Sequence, residues 1–102
     1  MNQIEKSNRR VEVSSEISDY VYEFEKDYTK RNPQNPLATT EQLIKQSYGK
    51  SIKIVDSMYD EKSGVAAIAV EDTLTGETYI AYAGTDYEAD GHKDIIVDTV
   101  FF

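Results

Sequence analysis

Two N-terminal helices on a small mixed or antiparallel sheet, an α/β or α+β fold, are what this sequence predicts, and three observations carry the prediction. Apolar residues recur at helical spacing in the first third of the chain. Two alanine- and β-branched-rich runs, separated by turn residues, follow in the second half. The length, 102 residues, suits one core and therefore a single domain over 1–102.

The first helix is expected from Ser14 to about Lys30. Ile17, Tyr20, Val21, Phe24 and Tyr28 fall on one stripe of a helix, the pattern of an amphipathic element docking on a core. Ser14 or Ser15 is placed to cap its start, and Glu16 and Asp19 lie in the first turn, where the helix dipole favours negative charge. Residues 1–13 are expected to be flexible. Tyr20, Tyr22, Phe24 and Tyr28 also form an aromatic cluster, but their spacing favours core packing over a ligand platform.

Pro33 and Pro36 end that helix, because proline removes a backbone donor and disfavours the α conformation of the residue before it. Thr39 and Gln42 have capping-box spacing, Leu43, Ile44 and Tyr48 supply an apolar face, and Gly49 suits the helix C-terminus. A second, short helix follows from those signals.

Beyond Gly49 the period changes. Ile52, Ile54 and Val55 open a β-prone stretch reaching toward Tyr59, and residues 60–64, ending in Gly64, read as a turn. Residues 65–70 and 78–83 are nearly continuous apolar runs, the pattern of strands buried on both faces. The polar residues 71–77, with Gly76, join them as a hairpin. Ala66, Ala67, Ala69, Ala81 and Ala83 are small enough to let helices approach the sheet closely.

Charge and composition narrow the function. With 11 basic and 19 acidic residues the net charge is −8, which repels phosphate backbones and anionic membrane surfaces, so no nucleic-acid partner is expected. The absence of cysteine excludes disulfides, thiolate metal sites and a cysteine nucleophile. No stretch has the roughly 20 apolar residues of a transmembrane span, and the start lacks the apolar core of a signal peptide. The default expectation is a soluble, cytoplasmic protein, with export by a signal-independent route left open.

The acidic segment after residue 83 admits several readings. Asp86, Glu88, Asp90 and Asp94, with Gly91, occupy oxygen-ligand and glycine places of a calcium loop, but Val97 stands where a bidentate glutamate is wanted and a strand precedes the loop instead of a helix. These are weak metal candidates, and a hydrated acidic loop is the simpler reading; neither a metal nor another cofactor is expected. His92, the sole histidine, and the serines do not form a Gly-x-Ser-x-Gly nucleophile elbow. The apolar end, Val97, Val100, Phe101 and Phe102, either docks into the core, continues into further chain, or drives self-association.

The run from Tyr79 to Asp86, Tyr-Ile-Ala-Tyr-Ala-Gly-Thr-Asp, followed by Asp94-Ile95-x-x-Asp98, resembles the front half of lipase-like α/β-hydrolases of the lipase class 3 type. Ala83 stands where arginine is common in that family, and Ile95 where tryptophan is. The resemblance implies that Gly84 shapes a turn at the end of a buried strand and that Thr85 contributes to an oxyanion hole, whose preorganised donors stabilise developing negative charge. It also implies that Asp94 and Asp98 are structural caps or hydrogen-bond acceptors at the opening of another helix. The family's nucleophile, acid and histidine lie downstream of this region, so the resemblance implies an N-terminal portion of a serine hydrolase. Such a portion is inactive alone and meets a lipid or ester substrate only when a downstream segment completes it. The alternative is a small acidic α+β interaction domain with a basic protein partner.

Overall fold

The computed structural model describes the backbone of residues 1–87 and 93–101 and the side chains of residues 1–84. Among the described residues the order is helix α1 (Gln3–Lys26), a π-helical turn (Asp27–Arg31), helix α2 (Ala38–Tyr48), and strands β1 (Ile52–Asp60), β2 (Val65–Asp72), β3 (Glu77–Tyr87) and β4 (Lys93–Phe101). The strands form one antiparallel sheet in the order β1-β2-β3-β4. Helix α1 packs across β2, β3 and β4, whereas α2 packs on α1 and β1. This is the small α+β arrangement, with the sheet wholly antiparallel.

The stripe of α1 is buried as its spacing predicts: Val13, Ile17, Tyr20, Val21 and Phe24 are core residues. The helix starts at Gln3, however, and not at Ser14, so residues 3–13 belong to it. Its start is held by a reciprocal cap. The Asn2 side chain accepts from the Glu5 backbone N–H at 2.8 Å and donates to the Glu5 carboxylate at 3.0 Å, satisfying a donor that a helix terminus leaves unpaired. This added length is anchored mainly by charge. Arg9 and Arg10 reach across to Asp72 and Glu77 at the β2–β3 turn, at 2.6 Å and 2.7 Å.

The π-helical turn carries a buried carboxylate, Asp27. Arg31 Nε lies 3.0 Å from one of its oxygens, and the Thr39 backbone N–H donates to the other at 3.2 Å. Asp27 thus supplies from outside α2 the acceptor that the N-terminus of α2 lacks locally, since its N-cap, Leu37, makes no side-chain cap hydrogen bond. The anticipated Thr39–Gln42 box is not the device used. Thr40 instead donates its hydroxyl to the Tyr20 carbonyl at 3.2 Å and is fully buried. At the other end Gly49, with φ 61, donates its N–H to the Lys45 carbonyl at 3.0 Å, a positive φ that glycine adopts without steric penalty.

In the sheet, the 60–64 turn forms, and so does the hairpin anticipated from 65–70 and 78–83, with its strands longer than anticipated, at 65–72 and 77–87. The Gly64 N–H donates to the Asp60 carbonyl at 2.7 Å, and Val70 pairs with Tyr79 and Ala66 with Ala83. Two expectations are overturned. The segment containing Asp94 and Asp98 opens no helix: it is β4, with Val97 opposite Ala83 and Ile95 opposite Thr85. Its β-branched residues, Ile95, Ile96, Val97, Thr99 and Val100, favour an extended chain, and β3 offers an edge to pair with. The apolar strands are also not buried on both faces by helices. Ala66, Ile68, Val70, Tyr79, Ala81 and Ala83 form the floor under α1 and are fully buried. Ala67 and Ala69 alternate to the opposite face, so only part of the alanine set lies beneath a helix.

Candidate functional site

The sites anticipated by the resemblance fall on β3 and β4. Tyr79, Ala81 and Ala83 are buried on β3, an interior strand between β2 and β4. The strand runs on through Gly84 and Thr85 to Tyr87, so neither residue stands at a strand-ending turn. Positive φ among the described glycines is confined to Gly49, Gly64 and Gly76. A Cβ added at Gly84 would meet Val65 Cγ2 at 3.7 Å, an ordinary contact. Asp94 pairs in register with Asp86, and Asp98 with Tyr82, which are ladder positions and not helix caps. Glu88, Asp90, Gly91, His92 and Phe102 lie outside the described residues, as do the side chains of Thr85, Asp86, Asp94, Val97, Asp98, Val100 and Phe101. The oxyanion, calcium-loop and apolar-end readings therefore rest on groups beyond the described geometry. Among the described residues no cluster of three or more His, Asp or Glu is placed to hold a metal ion.

The best-organised polar cluster within reach of description was not anticipated from sequence. Arg9 grips Asp72 with two nitrogens, Nε at 2.6 Å and Nη2 at 3.1 Å, and its Nη2 also reaches the Ser51 hydroxyl at 3.3 Å. The Asp72 carboxylate accepts the Leu74 N–H as well, at 3.0 Å, and the guanidinium lies 5.5 Å from the centre of the Tyr48 ring. Donating to Asp72 raises the Arg9 pKa above its ordinary value. Burial pushes the Tyr79 hydroxyl up to about 12, with the charges of Glu77 and Asp72 adding to the effect, and burial likewise raises Tyr48 and Tyr20. These phenols stay protonated through the physiological range. The cluster ties α1 to the β2–β3 turn; both Asp72 oxygens are already engaged, and what it does is hold the fold together.

Two surfaces remain. The first is the face of the sheet opposite the helices, where Met58, Ala67, Ala69, Ile80 and Tyr82, with Asp56 at the margin, line a shallow depression of about 210 Å³. Met58 is 49% exposed and Tyr82 42%. An antiparallel sheet with one solvated face ordinarily alternates polar residues outward; the centre of this face does not. Its margins are charged, with Lys53 and Glu71 paired at 3.4 Å. The second is a groove of about 600 Å³ between α2 and β1, floored by Ile44, Ile52 and Ile54 and edged by Lys45, Lys50 and Lys53.

The apolar outward residues of 65–70 and 78–83 were visible in sequence as continuous runs; only the side left uncovered was not. Among the described residues no helix is long and apolar enough to cross a membrane. No protein-family model matches the chain, and neither the curated proteins nor the solved structures compared with it include a match.

Proposed function

We propose that this chain is an interaction domain that docks a protein partner on the uncovered face of its sheet, a partner apolar at its centre and basic at its rim. One observation carries the reading: Met58 and Tyr82 are exposed and, with Ala67, Ala69 and Ile80, line an apolar depression at the middle of a face that no helix among the described residues covers. Burying such surface is the main driving force of protein association, and patches of this kind on otherwise polar proteins mark interaction sites. Tyrosine and methionine are enriched at the centres of interfaces. The net charge of −8 and Asp56 at the margin select for a basic rim, by steering encounter and rejecting acidic partners.

A second reading is favoured by the burial of Tyr79, Ala81 and Ala83 on an interior strand leading into Gly84 and Thr85. In that case the docked partner is the remainder of a lipase-like serine hydrolase, which brings the nucleophile, acid and histidine to this strand and acts on a carboxylic ester.

Photo-crosslinking tests both. With a benzophenone amino acid at position 82, the chain in its own cell should give one dominant protein adduct, lost when Met58→Glu is added; the same group at the exposed helix position Val11 should give none. Equal adducts from both positions, or none from position 82, would refute docking on this face. If the adduct hydrolyses a short-chain p-nitrophenyl ester and a serine-directed phosphonate stops it, the hydrolase reading holds; an inert adduct leaves the interaction domain.

A further inference from the structure

The edge of β1 offers a different kind of site, independent of the uncovered face. Being first in the sheet order, β1 has a strand neighbour on one side only among the described residues. The direction of its free backbone groups follows from the ladder. The Thr73 N–H donates to the Ser51 carbonyl at 2.8 Å, so Ser51 and Thr73 form a hydrogen-bonded pair. Such pairs alternate in an antiparallel ladder. Lys53 and Glu71, partners in register, are therefore the next one. Ile52 and Ile54, between and after these positions, turn their N–H and C=O away from β2 toward the open edge.

These same two residues line the groove under α2. Backbone donors and acceptors and an apolar floor thus meet in one place, the combination by which an extended peptide adds a strand to a sheet edge. The floor is Ile44, Ile52 and Ile54, and the rim carries Lys45, Lys50 and Lys53 with a single acidic residue, Glu41. In a chain of net charge −8 this is a local reversal of sign. Lys53 is paired to Glu71, whereas Lys45 and Lys50 form no ion pair among the described residues. The β-bulge between Ile54 and Asp56 leaves Val55 exposed and bends the edge, and bulges of this kind end regular pairing. An added strand is thereby confined to a short stretch beside residues 52–54.

We infer that the groove between α2 and β1 binds a short extended peptide as a fifth strand, one whose residues facing α2 are apolar at the centre and acidic at the ends. It pairs through its main chain with Ile52 and Ile54, sets its central apolar side chains on Ile44, Ile52 and Ile54, and offers the carboxylates at its ends, on the same face, to Lys45 and Lys50. Main-chain pairing gives affinity with little side-chain selectivity, while the lysine rim selects acid over base. A peptide of the same apolar pattern with lysine in place of glutamate is rejected.

The probe is a blocked synthetic heptapeptide, Glu-Thr-Val-Thr-Val-Thr-Glu, whose glutamates and valines share one face of the strand, titrated into the full chain while backbone amides are followed by NMR. The Ile52 and Ile54 amides should shift and gain protection from hydrogen exchange. Replacing Lys45→Glu together with Lys50→Glu, both exposed and outside the core, should weaken binding by about tenfold or more. A version of the peptide N-methylated at alternate residues tests strand pairing without altering the protein, and it too should lose at least about tenfold. Equal binding of the methylated peptide would show that the groove takes anionic amphiphiles without strand addition and would overturn the inference. Failure to bind, or shifts centred on Met58 and Tyr82 instead, would overturn it as well.

Discussion

The two faces of the sheet are made by alternate residues of the same strands, yet they serve different ends. Toward the helices, Ala66, Ile68, Val70, Tyr79, Ala81 and Ala83 are sealed under the Ile17–Phe24 stripe of α1. On the other side, Met58, Ile80 and Tyr82 carry comparable apolar bulk and leave much of it in water. The first face also holds the less exposed ion pairs: Asp72 and Glu77, both on the helix side, hold Arg9 and Arg10, whereas the Lys53–Glu71 pair on the other side is exposed. The difference teaches that apolar content in a strand does not by itself report a core. Stability is concentrated where apolar burial and buried, paired charge coincide, and the other face is the one proposed to associate.

Truncating each face should expose this contrast most strongly. Ile17→Ala, in the middle of the covered core, should cost about 3–4 kcal/mol by the sum of lost transfer energy and residual cavity. Ile80→Ala on the opposite face should cost about 1 kcal/mol or less, because the site is half-buried and open. Urea unfolding of the two variants checks both values, and near-equal losses would erase the distinction between the faces.

Next in size is the charge that closes the covered face. Asp72→Ala leaves Arg9 without its bidentate partner in a largely buried setting, and unfolding should become easier by about 3 kcal/mol. A loss typical of exposed pairs, under about 1 kcal/mol, would mean that the added first half of α1 is held by something other than this contact.

A smaller effect concerns alkaline pH. Tyr79 is fully buried and its hydroxyl titrates near 12 when folded, above the ordinary value of about 10 for the unfolded chain. Between those values the unfolded state releases the proton and the folded state keeps it, so stability falls as pH rises. The contribution is complete below pH 10 and is lost on approach to 12, on the order of 2–3 kcal/mol in all. Tyr79→Phe should flatten the stability profile over that window; an unchanged slope would assign it to other groups.

How much of this could be read from residues alone varies by element. The Ile17, Tyr20, Val21 and Phe24 stripe, the Gly49 terminus, the 60–64 turn and the hairpin after it were legible because each is encoded locally, by period or by turn chemistry. The start of α1 was not, although Asn2 and Glu5 stand at capping-box spacing, because residues 4–12 show no apolar stripe and the partners of Arg9 and Arg10 lie far away in sequence. The helix expected at Asp94–Asp98 failed for a related reason. That expectation came from the family resemblance, in which a segment of this kind opens a helix, and it set aside the β-branched run at 95–100, which pairs with β3. The lysine-edged groove was illegible altogether, since Lys45, Lys50 and Lys53 converge only when α2 is set beside β1, and the π-helical turn that sets it there depends on the buried Asp27.

The claim that the uncovered face serves association and not folding is tested most directly by one double variant, Met58→Glu with Tyr82→Glu, carrying the crosslinker at Ile80. Thermal unfolding is followed alongside adduct formation. The account predicts a melting temperature within a few degrees of the parent, as expected for substitutions outside the core, together with loss of the adduct that the parent gives from Ile80. A large drop in melting temperature, or an adduct that persists at full yield, would contradict it.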